Sequence, residues 1–296
     1  KRYSMPAATK LIRSRISAVK NTRKITKAME LVAASKMKRA TDAAINSRPY
    51  SFAAEEILER LKGKTTVIHP LLREPEAVKN ELLIVITSDR GLCGGLNANI
   101  IREALAYLTQ QKERGVMVRV VTVGKKGRAP LAKSGAEIIA DFTEITQVVD
   151  FLKIRPVAQI ALEEFKSARV DTVTALYTEF QSALIQRSVK RTILPLSQLV
   201  PETSNKKQGA PVEYIFEPSP EIVYTQMLPR FLETQVYQAI LEAVASEHSA
   251  RMFAMRNATE AADEISADLT LTYNQARQAG ITQELAEIAS GAAALE

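Results

Sequence analysis

The sequence of 296 residues contains one cysteine, two histidines and no tryptophan. A single cysteine excludes an internal disulfide bond, and the cysteine and histidines lack the spacing of a zinc site. The two histidines, His69 and His248, are far apart in the sequence, so no Ser/His or Cys/His pair for nucleophilic catalysis is evident. The residues themselves therefore point to no metal site and no catalytic centre.

Long apolar runs are also missing. The chain has no stretch of about 18 uncharged apolar residues, so we expect no membrane-spanning helix. The N-terminus lacks the apolar core of a signal peptide. Hydrophobic residues make up 46% and charged residues 25% of the chain, a mixture that is typical of a globular protein with one large domain or two modest ones.

Glycine and proline are absent from residues 7–48 and from residues 230–279. In both segments apolar or small residues recur in steps of three and four, which predicts two long helices with a heptad-like stripe. At 1.5 Å per residue the two helices would be roughly 63 and 75 Å long. A heptad rhythm sustained over this length favours a coiled coil.

The second long helix has recognisable limits. Ser219 followed by Pro220 is typical of a helix cap and a first helical position. Gly280 weakens the helix by about 1 kcal/mol relative to alanine, but the stripe continues, so we expect helix almost to the end of the chain. His248 and Arg251 occupy stripe positions, so either they end the internal seam or they face an outside partner. The continued stripe consists of Ile281, Leu285 and Ile288.

Charge is divided between the two ends of the chain. Residues 1–80 carry 18 basic and 7 acidic side chains, whereas residues 211–296 carry 4 basic and 13 acidic ones. This asymmetry favours pairing of the two long helices, although an exposed ion pair contributes only about 0–1 kcal/mol. The pairing should be antiparallel because both helices would emerge from the same domain.

The middle of the chain has a different pattern, in which β-branched apolar runs alternate with helical stretches. This alternation predicts an α/β domain with a mostly parallel, Rossmann-like sheet. The fold class is therefore α/β, with an antiparallel coiled coil of the terminal helices and this central domain. The predicted strands are Leu82–Thr87, Val116–Val123, Ile138–Phe142, Thr172–Phe180 and Val189–Leu194. The predicted organisation is residues 1–60 (N-terminal helix), 80–200 (α/β domain), 201–220 (connecting loop) and 221–296 (C-terminal helix).

A glycine-rich loop, Ser88–Asn97, follows the first strand. Such a loop can bind phosphate through its backbone N–H groups, but it matches neither G-x-G-x-x-G nor G-x-x-x-x-G-K-[ST]. A structural turn is therefore favoured, and Cys93 has no histidine in the domain to activate it as a nucleophile. An α/β nucleotide- or sugar-binding enzyme with helical arms stays an alternative, with Ser88, Asp89 and Arg90 as its polar cluster.

The first helix is strongly basic, with Glu30 as its single acidic residue between positions 10 and 39. A basic helical nucleic-acid-binding protein is therefore a second alternative. The acidic C-terminal segment speaks against it, and we expect no nucleic-acid partner. The basic residues are Lys10, Arg13, Arg15, Lys20, Arg23, Lys24, Lys27, Lys36, Lys38 and Arg39.

Three long motifs, in this order, resemble signatures of the gamma subunits of F-type ATP synthases. They are Ile25–Met37 (ITKAMELVAASKM), the loop Ser88–Asn97 (SDRGLCGGLN) and residues 277–294 (RQAGITQELAEIASGAAA). The last has the form I-T-x-E-x-x-E-x-x-x-G-A. The resemblance covers essentially the whole chain.

The resemblance implies a central rotor shaft that performs no bond chemistry and needs no cofactor or metal. Its coiled coil would enter the ring of alpha and beta subunits, and its α/β domain would contact the c-ring and an epsilon-type subunit. Proton flow would turn the c-ring, and the shaft would couple that rotation to ATP synthesis or hydrolysis on three beta subunits. We accordingly expect the isolated chain to bind no nucleotide and to insert no segment into the membrane.

The resemblance also implies contacts for particular residues. Met29 would face a mobile acidic loop of a beta subunit, with Arg251 near the same region. The contacts of the shaft tip with the catalytic subunits would come from Arg277, Gln278 and Thr282. The foot that faces the c-ring and the epsilon-type subunit would include Tyr214, Phe216 and Glu217.

The sequence departs from the plant chloroplast form, which carries an inserted regulatory segment with a cysteine pair. Because Cys93 is the only cysteine, we expect no thiol switch. The missing insertion and the lack of a targeting segment favour a peripheral membrane protein on the cytoplasmic face of a bacterial plasma membrane. The inner membrane of an energy-converting organelle is the alternative. Residues 1–5 match nothing in the family.

Overall fold

A computed structural model of the chain describes residues 7–61, 69–146, 150–199, 217 and 219–293. The five α-helices among them are α1 (Ala7–Leu61), α2 (Leu96–Glu113), α3 (Lys125–Lys133), α4 (Phe151–Lys166) and α5 (Pro220–Ala293). The strands are β1 (Asn80–Ile86), β2 (Met117–Val123), β3 (Glu137–Phe142), β4 (Thr172–Phe180) and β5 (Gln186–Leu194). Short 3-10 turns occupy Pro70–Leu72 and Leu196–Leu199.

The described residues divide into two compact units. Residues up to Ala33 and residues from Arg251 onward form one of them, here called the paired-helix unit. Residues from Ala34 to Ala250 form the other, here called the sheet unit. α1 and α5 each contribute residues to both units.

The sheet unit contains one five-stranded sheet in the order β3-β2-β1-β4-β5. The first four strands in this order are mutually parallel, and β5 pairs antiparallel with β4. β1 is buried from Glu81 to Ile86 because helices cover both faces of the sheet, as expected for parallel strands with continuous apolar runs. The predicted α/β fold with a mostly parallel sheet is confirmed.

Alternating residues of β1 face two different cores. Leu83 and Val85 pack with Ile100 of α2 and Leu131 of α3 on one face. The other face carries the larger core, which includes α4 and the part of α5 that belongs to this unit. The α5 residues from Phe231 to Ser249 are buried except for Tyr237, which is half-buried. The larger core includes Leu82, Ile84, Ile86, Val157, Phe165, Leu228, Phe231, Val236 and Ile240.

Both long helices contain a proline that lies outside the predicted glycine- and proline-free windows. α1 continues through Pro49, and α5 begins at Pro220 and runs through Pro229. An internal proline removes one backbone hydrogen bond, but helix stability in proteins comes mainly from tertiary packing. The predicted cap is confirmed, because Ser219 accepts from the Val223 amide at 3.1 Å through its carbonyl and from the Ile222 amide at 3.4 Å through Oγ.

His69 caps the 3-10 turn at Pro70–Leu72, and its Nδ1 accepts a hydrogen bond from the Leu71 amide at 3.2 Å. Burial, followed by the charge of Lys166, lowers the pKa of His69 below its ordinary value of 6.5. The unfolded chain therefore takes up a proton before the folded chain does as the pH falls. Stability contributed by His69 is complete above pH 6.5 and is lost as the pH falls below that value.

We predict that His69→Asn will flatten this dependence, because asparagine also caps but does not titrate. Urea denaturation at pH 7.5 and 5.5 measures the effect, and the wild type should lose more stability on acidification than the variant. Equal losses in the two proteins would show that His69 does not titrate with folding.

Candidate interaction surfaces

In the paired-helix unit, α1 and α5 lie antiparallel. The Thr26 and Thr259 hydroxyl oxygens are 2.8 Å apart. Arg23, one turn earlier on α1, forms an ion pair with Asp263, one turn later on α5. Going from the first contact to the second, residue numbers decrease on α1 and increase on α5. The two helices therefore run in opposite directions, and the predicted antiparallel pairing is confirmed.

The buried side chains between these helices are mostly small or polar, and Met255 is the large apolar one among them. The predicted apolar stripe of α1 extends through both units and is buried or half-buried at nine of its ten positions, with Thr22 exposed. Its positions are Ile12, Ile16, Val19, Thr22, Thr26, Met29, Ala33, Met37, Ala40 and Ala44. The buried residues of the paired-helix unit that lie on the two helices are Thr9, Thr26, Ala33, Arg251, Met255, Thr259, Ala262 and Ser266.

A second heptad set on α1 points outward. Leu11, Ala18, Ile25 and Val32 follow one another at seven-residue spacing, and all four are exposed. The three large side chains retain 56%, 60% and 57% of their accessible surface. An uncharged stripe on a helix that is otherwise rich in lysine and arginine is a candidate contact surface for another protein.

Met29 is half-buried beside this stripe. It lies four residues after Ile25 and three before Val32, so the three side chains are neighbours on the helix surface. The predicted role of Met29 in contact with a beta subunit stays a prediction.

The C-terminal end of α5 is exposed on all sides. Every residue from Ile281 to Gly291 is exposed, as are Arg277, Gln278 and Thr282 among the predicted contact residues. Ile281, Leu285 and Ile288 form an apolar stripe on this end and retain 50%, 62% and 68% of their accessible surface. The end of α5 therefore presents an amphipathic helix face that the described residues of the chain leave uncovered.

His248 and Arg251 are both buried, His248 in the sheet unit and Arg251 in the paired-helix unit. Arg251 lies one helical turn before the buried Met255, on the same side of α5. Its predicted contact with the catalytic ring stays a prediction.

The predicted foot lies mostly outside the described residues. Tyr214 and Phe216 belong to that part of the chain, whereas Glu217 occupies a bend and is exposed. The predicted contact of this segment with the c-ring and an epsilon-type subunit is untested.

In the loop after β1, polar groups form hydrogen bonds with one another. The Ser88 amide donates to Asn97 Oδ1 at 3.0 Å, and Asn97 Nδ2 donates to Ser88 Oγ at 2.7 Å. Ser88 Oγ in turn donates to the Arg90 carbonyl at 2.6 Å, and Cys93 is buried. These bonds favour a structural turn, as predicted, over a phosphate-binding loop.

Asp89 connects this loop to α3 and to the segment that follows β3. Its carboxylate accepts hydrogen bonds from the Lys125 amide at 3.1 Å and from the Thr146 hydroxyl at 2.8 Å. The first amide group of α3, which could otherwise bind an anion, is thereby bonded to a side chain of the same chain.

The crevice beside this loop is filled. In open α/β sheets ligands bind outside the carboxyl ends of the strands, where the strand order reverses, which here is between β1 and β4. A cavity of about 10 Å³ remains at this place, with room for roughly one water molecule. Ala243 and Glu247 of α5 close it, and Ser246 Oγ donates to the Thr178 carbonyl at 3.0 Å. This cavity is itself too small for a nucleotide.

A buried carboxylate that the sequence analysis did not single out lies at the start of β1. Glu81 accepts hydrogen bonds from Tyr107 at 2.7 Å, Gln111 at 2.8 Å and Thr174 at 2.5 Å. Burial, together with the bond and charge of Glu81, raises the pKa of Tyr107 well above its ordinary value of 10. Each of these three donors therefore has Glu81 as its acceptor. The hydrogen bonds from Tyr107 and Gln111 connect α2 to β1 of the sheet.

The described residues contain no cluster of histidine, cysteine, aspartate and glutamate that could hold a metal ion. None of the helices they form combines the length and apolar character that crossing a membrane requires.

A family model described as ATP synthase matches residues 8–295 of the chain. The ATP synthase gamma chain of Herpetosiphon aurantiacus is 44% identical, in an alignment that covers 98% of this chain and 99% of the relative. The ATP synthase gamma chain of Roseiflexus castenholzii is 43% identical with the same two coverages.

Chains in solved ATP synthase structures also resemble this chain. A chain of the Tetrahymena thermophila mitochondrial ATP synthase central stalk and c-ring has a TM-score of 0.60 and 29% identity, covering 79% of this chain and 99% of that one. A chain of the Euglena gracilis mitochondrial ATP synthase has a TM-score of 0.66 over 97% of this chain and 94% of that one. At 20% identity the second likeness shows a shared fold. By sequence over nearly its full length, the chain belongs to the family of ATP synthase gamma chains.

Proposed function

We propose that this chain is the central-stalk rotor subunit of an F-type ATP synthase. It transmits torque between a proton-driven c-ring and three catalytic beta subunits, and it couples proton flow to ATP synthesis or hydrolysis. The proposal rests on the family membership together with one structural observation, the uncovered apolar stripe at the end of α5.

The described residues of the chain leave that stripe exposed, which suits contact with another protein. Three large apolar side chains, Ile281, Leu285 and Ile288, are exposed on a helix whose neighbouring residues are all exposed too. Exposed apolar patches on a folded protein mark surfaces that bind other proteins. A ring of alpha and beta subunits around the helix end would cover this stripe from every side and leave few directional bonds to break during rotation.

The paired helices offer different surfaces around their axis. One side of α1 carries the uncharged stripe of Leu11, Ala18, Ile25 and Val32, whereas exposed acidic residues such as Glu260 and Asp263 lie on α5. Three identical beta subunits around such a pair would each meet a different surface. Only a difference in contact energy can shift the conformation of a site, and a shift from 1:99 to 99:1 takes about 5.5 kcal/mol.

The chain itself performs no catalysis in this proposal. The filled crevice beside β1 and the internally bonded loop Ser88–Asn97 support that reading over a nucleotide-binding enzyme. Nucleotides bind on the catalytic subunits instead, and we expect isothermal calorimetry to detect no ATP binding to the isolated chain at micromolar concentrations. A micromolar affinity for ATP would instead support the alternative of a nucleotide-binding enzyme.

The partners in this proposal are the alpha and beta subunits, the c-ring and an epsilon-type subunit. Arg277, Gln278 and Thr282, all exposed, are proposed contacts of the shaft end with the catalytic subunits, and Arg251 is a proposed contact near the acidic loop. Tyr214, Phe216 and Glu217 are proposed foot contacts. The complex would make the chain a peripheral membrane protein, on the cytoplasmic face of a bacterial plasma membrane.

Co-assembly tests the proposal. The chain is expressed with the alpha, beta and epsilon-type subunits of the same organism, with an affinity tag on the beta subunit. We expect one copy of the chain to co-purify with each alpha–beta hexamer, and addition of the chain to stimulate ATP-driven proton pumping in depleted membranes. Purification of hexamers that lack the chain, together with full pumping, would contradict the proposal.

Met29→Lys is predicted to impair coupling without preventing assembly. The substitution places a cation next to the uncharged stripe, where it would attract the acidic loop of a beta subunit and hinder passage of the shaft. The ratio of protons pumped to ATP hydrolysed should fall, whereas co-purification should be unchanged. Met29→Leu is the matched control, and an unchanged ratio in Met29→Lys would count against this contact.

A further inference from the structure

The loop that joins β4 to β5 carries large apolar side chains at its tip. Its five residues, 181–185, are Gln-Ser-Ala-Leu-Ile, whereas glycine, proline, asparagine, aspartate and serine predominate in tight turns. Leu184 keeps 78% of its accessible surface, more than any other large apolar residue that the structure describes, and Ile185 keeps 48%. Departures from local sequence preference are expected at functional positions, so this loop is a candidate contact site.

Hydrogen bonds hold the backbone of this loop in place. The Ser182 amide donates to the Ile185 carbonyl at 3.1 Å, and the Ile185 amide donates to Ser182 Oγ at 3.1 Å. The Ala183 carbonyl accepts from Gln186 Nε2 and from Ser249 Oγ of α5, each at 2.6 Å. The loop is therefore bonded both to itself and to a long helix. A loop that is already ordered loses less conformational entropy when it binds a partner.

The loop lies at the end of the sheet unit from which α5 continues. Ser246 of α5 bonds the Thr178 carbonyl, and Ser249, further along α5, bonds the Ala183 carbonyl, which is further along the chain after β4 begins. Residue numbers increase together at these two contacts, so β4 and α5 run in the same direction here. α5 leaves the sheet unit directly after Ala250 and continues as a helix. In the proposed function this continuation enters the ring of alpha and beta subunits.

The opposite end of the sheet carries another exposed apolar side chain. Met117 at the start of β2 keeps 62% of its accessible surface. Because β2 and β4 are both parallel to β1, the start of β2 and the loop after β4 lie at opposite ends of the sheet. Strands of this length separate them by roughly 30 Å along the strand direction. Met117 is therefore a reference position of similar chemistry at the end away from the continuation of α5.

We propose that Leu184, together with Ile185, is a contact of the sheet unit with the alpha–beta hexamer and packs against an apolar surface there. Residues 181–186 include no charged side chain, so this contact forms and separates without making or breaking an ion pair. Such a contact suits a surface that meets one subunit after another during rotation. The inference rests on the proposed rotor function, and it adds a hexamer contact on the sheet unit to the contacts proposed on the helices.

Photochemical cross-linking identifies the partner of this loop. Leu184→Cys is labelled with a benzophenone maleimide in the full chain with Cys93→Ser, assembled with the alpha, beta and epsilon-type subunits, and irradiated. We expect covalent capture of an alpha or a beta subunit, whereas the same label at Met117→Cys should capture neither. Capture of the epsilon-type subunit alone, capture of no subunit, or equal capture of alpha and beta subunits from both positions would overturn the inference.

The variant Leu184→Asn measures what the apolar side chain contributes. Asparagine suits a turn, so the free chain should melt no earlier than the wild type. Mass photometry of the diluted complex gives the dissociation constant of the chain from the hexamer, which we expect to rise about tenfold because a buried leucine side chain is lost. Leu184→Met and Met117→Asn are the controls and should leave this constant unchanged. An unchanged constant in Leu184→Asn would contradict the inference, whereas failure of the wild-type chain to join the hexamer would overturn the proposed function.

Discussion

Replacing Gly124 with alanine is expected to cost the sheet unit more than about 3 kcal/mol of unfolding free energy. Gly124 has a φ of +91°, and a Cβ atom there would lie 2.1 Å from the Thr87 carbonyl oxygen and 2.7 Å from the Thr87 carbonyl carbon. The obstructing atoms are backbone atoms of the residue that follows β1. These atoms cannot move aside without disturbing the hydrogen bond that the Thr87 amide donates to the Val123 carbonyl at 2.8 Å.

Gly115→Ala is the matched control for this prediction. Gly115 also has a positive φ, +74°, but no atom lies within 4 Å of the position its Cβ would take. The control therefore carries only the conformational cost, about 1–2 kcal/mol. Urea denaturation of the two variants measures the difference, and equal losses would show that the close approach to Thr87 is unimportant.

Placing aspartate at Ile281, Leu285 and Ile288 together is expected to abolish most ATP-driven proton pumping. All three side chains are exposed in the chain, so the triple variant should fold with the melting temperature of the wild type. In the assembled complex the same positions would be enclosed by apolar surface. Burying three charges there would cost several kcal/mol for each charge that stays unpaired.

The control for this variant keeps the stripe apolar, with Ile281→Leu, Leu285→Met and Ile288→Leu. Pumping by inverted vesicles and thermal melting of the free chain are measured side by side. We expect the apolar variant to pump normally and the charged variant to lose pumping at an unchanged melting temperature. Normal pumping by the charged variant would show that the end of α5 is not enclosed.

The long helices could be predicted from the sequence because the heptad stripe is a local, repeated signal. The start of α5 could be predicted too, from Ser219 and Pro220. The continuation of the helices through Pro49 and Pro229 could not be read from the glycine- and proline-free windows, which stop at these residues. The core that packs around Phe231–Ser249 sustains α5 there, and that packing depends on residues far away in the sequence. The first turn of α3, which begins at Lys125, likewise depends on a distant residue, because the Thr87 hydroxyl accepts a hydrogen bond from the Gly127 amide at 2.9 Å.

The candidate surfaces were only partly predictable. The stripe of Leu11, Ala18, Ile25 and Val32 has a heptad spacing that the sequence does display, but the neighbouring stripe toward the seam has the same spacing. Only the structure shows which of the two is exposed. The sequence around Ala243 and Glu247 does not predict that these residues line the crevice, because the other lining residues lie more than 60 positions earlier in the chain.

Single-molecule rotation tests the central claim most directly. A bead is attached at Lys133→Cys, an exposed position of the sheet unit, and the alpha–beta hexamer of the assembled complex is fixed to a surface. We expect the bead to turn in one direction when ATP is supplied and to stop when ATP is withdrawn. A bead that stays fixed, or moves randomly while the hexamer hydrolyses ATP, would contradict the proposal that the chain is a rotor.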